Sequence, residues 1–371
     1  MKYTSCLILL GILSSCSYIQ TQEMPETTHV SQINEESEDI EEPIDTYSSV
    51  GELGDNPETQ TPHTSLEPAF SGQTRVSGAR TQSEYRVEEI ADLGGVVWGI
   101  TQLPNNNFLT FLRSGTIYLL SFNGDILQEM NLDLDVFARG QGGLLDVVLA
   151  PDYSESGNIF FSFSENYERG SLTSVGRGVL DEENGAIDSQ EVIFRAIPSY
   201  NGDKHFGSRI AIDNNGDLFV SFGERSDRRI RDAAQDDSNY LGSIIHITQN
   251  GDPVRPEGYG FSLPEIYSIG HRNPQGLVYE TETGKLWSSE MGPRGGDEIN
   301  LIEPGKNYGW PVITYGEEYT GFSVGEGIGQ QEGMEQPRYY WDPAVSPSGI
   351  DIYSGDIEEW RGNLFIANLS G

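Results

Sequence analysis

Cysteine is nearly missing from this chain. Its 371 residues hold two, Cys6 and Cys16, both within the first sixteen positions. The body that follows therefore has no disulfide, no thiol nucleophile and no cysteine-built zinc site. Any redox chemistry in it needs a borrowed cofactor. Positive charge is scarce as well: 22 Lys and Arg stand against 58 Asp and Glu, a formal net charge of −36. Nucleic acid is a poor partner for such a surface, because its phosphates would be repelled. The plain reading of the acidity is solubility, in keeping with a salty environment. No stretch carries a sustained helical period, and no Gly-x-Gly-x-x-Gly after a strand, P-loop or His-Glu-x-x-His occurs.

What is present begins with a targeting segment over residues 1–16. Lys2 supplies the positive start, and Leu7 to Leu13 is an apolar run too short to span a bilayer. Leu13-Ser14-Ser15-Cys16 resembles the lipobox of bacterial lipoproteins, in which the Cys is lipidated and becomes the mature N-terminus. An ordinary signal peptide with an incidental Cys is the alternative. Either way the protein is expected to be exported, anchored by lipid at the bacterial outer membrane or periplasmic, touching membrane only through that anchor.

Residues 17–84 read as an acidic, disordered tether. They contain 14 acidic residues against Arg75 and Arg80, are rich in Ser, Thr, Gln and Pro, and show no apolar period. Such composition buries too little surface to offset its ordering entropy.

From residue 85 to 371 short apolar runs alternate with polar turns, and one phrase recurs: a small residue, a strand, a turn, a second strand. Copies begin at Trp98, Leu144, Ser208, Pro274 and Pro347. Repeats of this length suggest propeller blades, small antiparallel sheets that must stack in a ring to bury both faces. A β-sandwich with similar turns is the alternative. The fifth copy stops at Gly371, just after its second strand, so the expectation is an all-β propeller that is incomplete before its last blade.

The densest stretch is 265–311, with an Arg-Asn-Pro turn, a Gly-Pro turn, paired acids and an Asn-Tyr-Gly-Trp turn. Loops rich in Gly and Pro but also in Arg, Asp, Glu and aromatics build sites on scaffolds. The phrases ARGQGGLLDV (138–147), HFGSR (205–209), GHRNPQG (270–276), GPRGGDEINLIEPGKNYGWP (292–311) and WRGNLF (360–365) together resemble the pyrroloquinoline-quinone (PQQ)-dependent soluble glucose and aldose sugar dehydrogenases. The resemblance runs from about Val97 to Gly371. It implies a six-bladed propeller with PQQ and Ca²⁺, which oxidises the anomeric carbon of aldoses to lactones and passes electrons to a small acceptor or a cytochrome.

The same resemblance assigns roles. His205 matches the base that takes the proton of the sugar C1 hydroxyl, a task suited to imidazole. Its orienting partner in the family is an Asp; here Glu224 follows Gly223, one methylene longer. Gln141, Arg272 and Asn273 match residues lining the sugar and quinone, and Arg can pair with the carboxylates that this quinone carries. Carbonyls of Gly292 and Pro293 match the ligands of the calcium beside the quinone. Glu298 and Tyr308 match those of a second, structural calcium, with Asp297 adjacent; oxygen donors of this kind suit calcium.

Three departures matter. Glu224 puts the rate in doubt. Ser370 stands where glucose-specific members have a quinone-gripping Lys, which favours the broader aldose branch. The paired arginines of the family's last blade have no counterpart before Gly371. A non-catalytic sugar- or protein-binding surface propeller is therefore the competing reading. A calcium-dependent lactone hydrolase on a similar ring is the third. Among other histidines, His271 is expected to shape the Arg-Asn-Pro turn. His246, between Ile245 and Ile247, is expected to face away from their side of a strand.

Overall fold

The computed structural model describes residues 30–31, 54–79, 81–255 and 260–370. The leader and most of 17–53 lie outside the described residues. The regular structure of the described residues is almost all strand, with one four-residue helical turn at Tyr153–Ser156 and two short 3-10 turns. No described helix is long and apolar enough to cross a membrane.

Four antiparallel sheets follow one another along the chain. The first holds Val97–Gln102, Phe108–Leu112, Thr116–Leu120 and Ile126–Asn131. The second holds Leu144–Leu149, Asn158–Tyr167, Gly170–Asp181 and Ala186–Arg195. The third holds Ile210–Ile212, Leu218–Ser221, Ser243–Ile247 and Ile266–Ile269, with Lys306–Asn307 added in parallel at its edge. The fourth holds Pro274–Glu280, Lys285–Glu290, Asp297–Ile302 and Tyr339–Trp341. A hairpin of Pro347–Ile352 and Leu364–Asn368 comes last. The five recurring phrases each supply the first strand of one of these units. Consecutive first strands pack against one another, so the units stand side by side as the blades of a β-propeller.

Both faces of each inner sheet are buried, which explains runs such as Ile159–Phe163 better than simple alternation would. Phe161 packs with Phe111 and Leu144 between the first two sheets, while its neighbour Phe160 turns to Val175, Val220 and Ile245 between the second and third. Phe219, Ile244, Leu277 and Leu286 then join the third sheet to the fourth. Gly276 allows the hairpin to approach the fourth sheet. A Cβ there would lie 2.2 Å from Ser289 Oγ and 2.4 Å from the Ser348 carbonyl, so only glycine lets the hairpin close against the fourth sheet.

The tether expectation is corrected for its later part. Residues 54–79 are bound along the outer edge of the fourth sheet. The Asp342 carboxylate accepts the N–H groups of His63 (3.0 Å) and Thr64 (2.9 Å) and the Thr64 hydroxyl (3.1 Å). Arg75 donates to the carbonyls of Glu58, Gln60 and Asp342. Gln73 is fully buried; it donates to the Pro337 carbonyl, and its own carbonyl accepts Tyr340 N–H. Further on, Thr81 and Ser83 hold Glu359, and Tyr85 meets the Trp360 ring edge-on. Composition misses this because it counts polar residues as solvated. Here the polar groups find partners that lie far along the chain.

Hydrogen bonds to an ionised group contribute about 1.5–3 kcal/mol each. Asp342→Ala should therefore release the segment, and trypsin should cut after Arg75 at least about tenfold faster than in the parent. Equal cleavage rates would show that the strap is held by something else.

Candidate active site

In an antiparallel sheet the start of the first strand and the end of the second lie at the same edge. The loops entering the first strands and those leaving the second strands therefore cluster at one end of the propeller. Most of the residues singled out from sequence sit in those loops, while Glu298 lies on the strand Asp297–Ile302 and Tyr308 follows Lys306–Asn307. Gln141 and His205 lie in connections leading into the second and third sheets. Glu224 follows the strand ending at Ser221, Arg272 and Asn273 enter the fourth sheet, and Gly292 follows the strand ending at Glu290.

A continuous path of hydrogen bonds joins them. Gln141 Oε1 accepts His205 N–H at 2.8 Å. His205 Nδ1 meets Glu224 Oε1 at 2.6 Å, so the longer acid still reaches the ring. Glu224 N–H donates to the Arg272 carbonyl at 2.9 Å. Asn273 Oδ1 accepts Gly207 N–H at 3.2 Å. Arg272 Nη1 donates to the carbonyls of Met291 (2.8 Å) and Gly292 (2.6 Å). Gly223 is needed for the closure: a Cβ on it would lie 2.3 Å from the His205 carbonyl. His205 itself takes a left-handed φ of 47°, which the Gln141 bond helps to hold.

His205 and Glu224 are both buried, 6% and 1% exposed. Burial, with the Arg272 guanidinium nearby, pushes the imidazole pKa down to about 4 against the opposing pull of Glu224. The ring is therefore neutral at pH 7. With Nδ1–H donated to Glu224, Nε2 keeps its lone pair.

A small cleft shares Arg272 with this path and is lined by Arg272, Gly292, Glu298, Tyr308, Trp310 and Thr314 among others. Four of the residues named from sequence thus share one cavity, and Pro293 is buried beside it. The Arg272 guanidinium lies 5.2 Å from the Trp310 ring centre, and its Nε is buried without a partner. A cation held by carbonyls and an indole rather than by a carboxylate suits an anionic ligand.

The cleft's oxygen donors suit a hard cation. Glu298 lies directly opposite Glu290 across the paired strands. Burial and the Glu290 carboxylate push the Glu298 pKa well above the ordinary carboxylate range. Its recorded hydrogen bond comes from the neutral Asn300 side chain at 3.0 Å, and Asn300 Oδ1 is itself unpartnered. Two facing carboxylates, one buried and one half-buried, and an orphaned amide oxygen are donors of the kind a calcium-like ion takes. Asp297 is used differently: it accepts N–H groups from Gly292, Val345 and Ser346, tying the Gly-Pro turn to the hairpin.

Sequence reasoning passed over Glu290. This buried residue accepts His271 Nδ1–H at 2.9 Å and the N–H groups of Arg272 and Asn273. His271 Nε2 reaches Ser268 Oγ at 2.9 Å, and its ring stacks on Tyr308. His271 shapes the Arg-Asn-Pro turn as expected, with Glu290 as the anchor. The available signal was an acid ending the strand immediately before the Gly-Pro loop.

Fold and site together define a class: a β-propeller with a buried histidine–carboxylate pair and a buried arginine in the loops at one end. The chain belongs to the Glucose / Sorbosone dehydrogenase family, whose model matches residues 95–371. Aldose sugar dehydrogenase YliI of Escherichia coli (strain K12) is 38% identical over 292 residues, covering 76% of this chain and 77% of that one. The crystal structure of the soluble aldose sugar dehydrogenase from Escherichia coli in the apo-form matches with a TM-score of 0.71 at 37% identity, over 76% of this chain and 82% of that one. The PQQ-bound form of aldose sugar dehydrogenase from Streptomyces coelicolor matches with a TM-score of 0.61 at 29% identity, over 76% and 77%.

Glu290→Ala leaves three buried donors unpaired and should lower the unfolding free energy by about 3–5 kcal/mol. Glu290→Gln keeps an acceptor for the turn and should recover part of the loss. Urea unfolding of both variants measures this; equal midpoints for Ala and parent would remove Glu290 as the anchor.

Proposed function

We propose that this chain is a PQQ-dependent dehydrogenase that oxidises the anomeric carbon of aldose sugars to lactones. The observation that supports the reading is the His205–Glu224 contact beside Arg272: a neutral histidine with a carboxylate at Nδ1 and a guanidinium nearby. When bound, the quinone supplies a two-electron acceptor for the hydride that leaves C1.

The chain's own residues manage the proton and the positions. His205 Nε2 takes the proton of the C1 hydroxyl as the C1–H bond breaks and the carbonyl of the lactone forms. Glu224 holds the ring in the tautomer that leaves Nε2 free and stabilises the imidazolium as the proton arrives. Gln141 holds the histidine backbone. Arg272 and Asn273 would hold the quinone, with the guanidinium paired to a carboxylate. Carbonyls of Gly292 and Pro293 would hold the calcium beside it, where a divalent cation polarises a quinone oxygen. Glu298 and Tyr308 would hold a second calcium.

A wider reading goes with this one. The blades are part of a six-bladed ring, a reading supported by five consecutive first strands that pack in succession. Lys2, the Leu7–Leu13 run and Cys16 support export with a lipid anchor. A small acceptor or cytochrome would take the electrons onward.

The test is sugar-dependent dye reduction by the purified chain, with PQQ and calcium each present or omitted, using glucose and other aldoses. Activity should require both additions. His205→Gln should lower kcat by about 10²–10⁴-fold while PQQ binding persists. Bound PQQ with no sugar turnover, or no PQQ binding at all, would leave a non-catalytic binding propeller.

The pH profile gives a second check. The base must be unprotonated, and its pKa is held down to about 4. The rate should stay level as pH falls through the ordinary imidazole range and drop only near pH 4. An acid limb centred near pH 6.5 would mean that His205 is not the buried group controlling the rate.

A further inference from the structure

At the opposite end of the third sheet lies a second cluster that the dehydrogenase reading does not use. Asp213 and Asp217 flank the Asn-Asn-Gly turn between Ile210–Ile212 and Leu218–Ser221. His246 sits on the neighbouring strand, paired with Phe219. One ligand atom from each of the three lies within 4.8 Å of the others.

The turn and the stacking fix these groups. Asp213 Oδ1 accepts the N–H groups of Asn215 (2.8 Å) and Asp217 (2.9 Å), which aims Oδ2 at the histidine. The His246 ring stacks on Phe219 with centroids 3.9 Å apart and meets Tyr267 edge-on. Stacking covers the ring faces and leaves the in-plane nitrogens as its polar outlets. His246 does face away from Ile245 and Ile247, as expected, yet it is 7% exposed. Neither ring nitrogen makes a hydrogen bond of acceptable geometry, although Nε2 lies 3.3 Å from Asp213 Oδ2. A buried imidazole whose Nδ1 has no partner and whose Nε2 has only the Asp213 carboxylate 3.3 Å away, beside a second carboxylate, is poorly explained by packing alone.

From this geometry we propose that Asp213, Asp217 and His246 form a binding site for a zinc-class divalent cation. Two ligands of a tetrahedral ion with bonds of about 2.0–2.1 Å sit about 3.3 Å apart, the separation seen between Nε2 and Oδ2. One imidazole and two carboxylates suit zinc or a similar first-row ion better than calcium or magnesium, which take oxygen donors. Two carboxylates also balance a 2+ charge, and the ion would relieve their mutual repulsion. The fourth position is left to water. Bound there, the ion clips the 213–217 turn to the 243–247 strand, at the end of the sheet away from Glu224.

The test uses the full chain after dialysis against a chelator. Zn²⁺ alone is titrated calorimetrically, and Co²⁺ alone serves as the spectroscopic probe of a four-coordinate site. The expected result is one Zn²⁺ per chain, the visible absorption of tetrahedral Co²⁺, and a rise in Tm with added Zn²⁺. His246→Phe preserves the stack on Phe219 and should bind at least about a hundredfold more weakly, with no Tm response. Asp217→Asn, a near-isosteric change on the turn, should also weaken binding and carries the test if the Phe variant does not fold. No zinc bound by the parent chain, or parent-like affinity in either folded variant, overturns the proposal. None of these readings depends on sugar turnover.

Discussion

A small sheet that is apolar on both faces cannot stand alone in water, and the rest of this structure depends on that constraint. Phe160 and Phe161 are neighbours in sequence yet serve two different interfaces. Phe219 and Val220 repeat the pattern one sheet later. Each sheet is therefore committed to a partner on either side. Backbones then approach so closely that a residue such as Gly276 has no room for a side chain. The hydrophobic term supplies the drive, and the stacking direction follows from the chain's order.

Stacking leaves the loops at one end with their polar groups turned toward each other. The candidate site is built from that convergence. Its electrostatics are unusual for a strongly acidic protein: the cleft holds a buried arginine whose partners are carbonyls, next to a histidine kept neutral by burial. Glu290 makes the arrangement possible by accepting backbone and imidazole donors from the Arg-Asn-Pro turn. The same carboxylate faces Glu298 across the paired strands, and this like-charge opposition helps to raise the Glu298 pKa.

The N-terminal segment shows how far a compositional argument reaches. Residues 54–79 look like solvated spacer, and most of their side chains are polar. They are nonetheless fastened to the fourth sheet by Asp342, Gln73 and Arg75 through partners more than two hundred residues away. No local pattern encodes such contacts. Trp360 and Glu359 continue the same attachment onto the hairpin.

The sequence by itself determined the strand-and-turn repeat, the starts of the five first strands and the loops that carry the site. Those features are local: turn residues, apolar runs and motifs such as His-Arg-Asn-Pro act within a few neighbours. It also marked Gln141, His205, Glu224, Arg272, Asn273, Gly292, Glu298 and Tyr308, because a motif resemblance preserves spacing. Only the tertiary structure decided that Glu224 reaches His205 despite its extra methylene, that Glu290 anchors the turn, and that Asp297 ties loops together. It alone set His246 beside Asp213 and Asp217. These are matters of distance and burial between segments far apart in the chain, and spacing along a sequence carries no information about either.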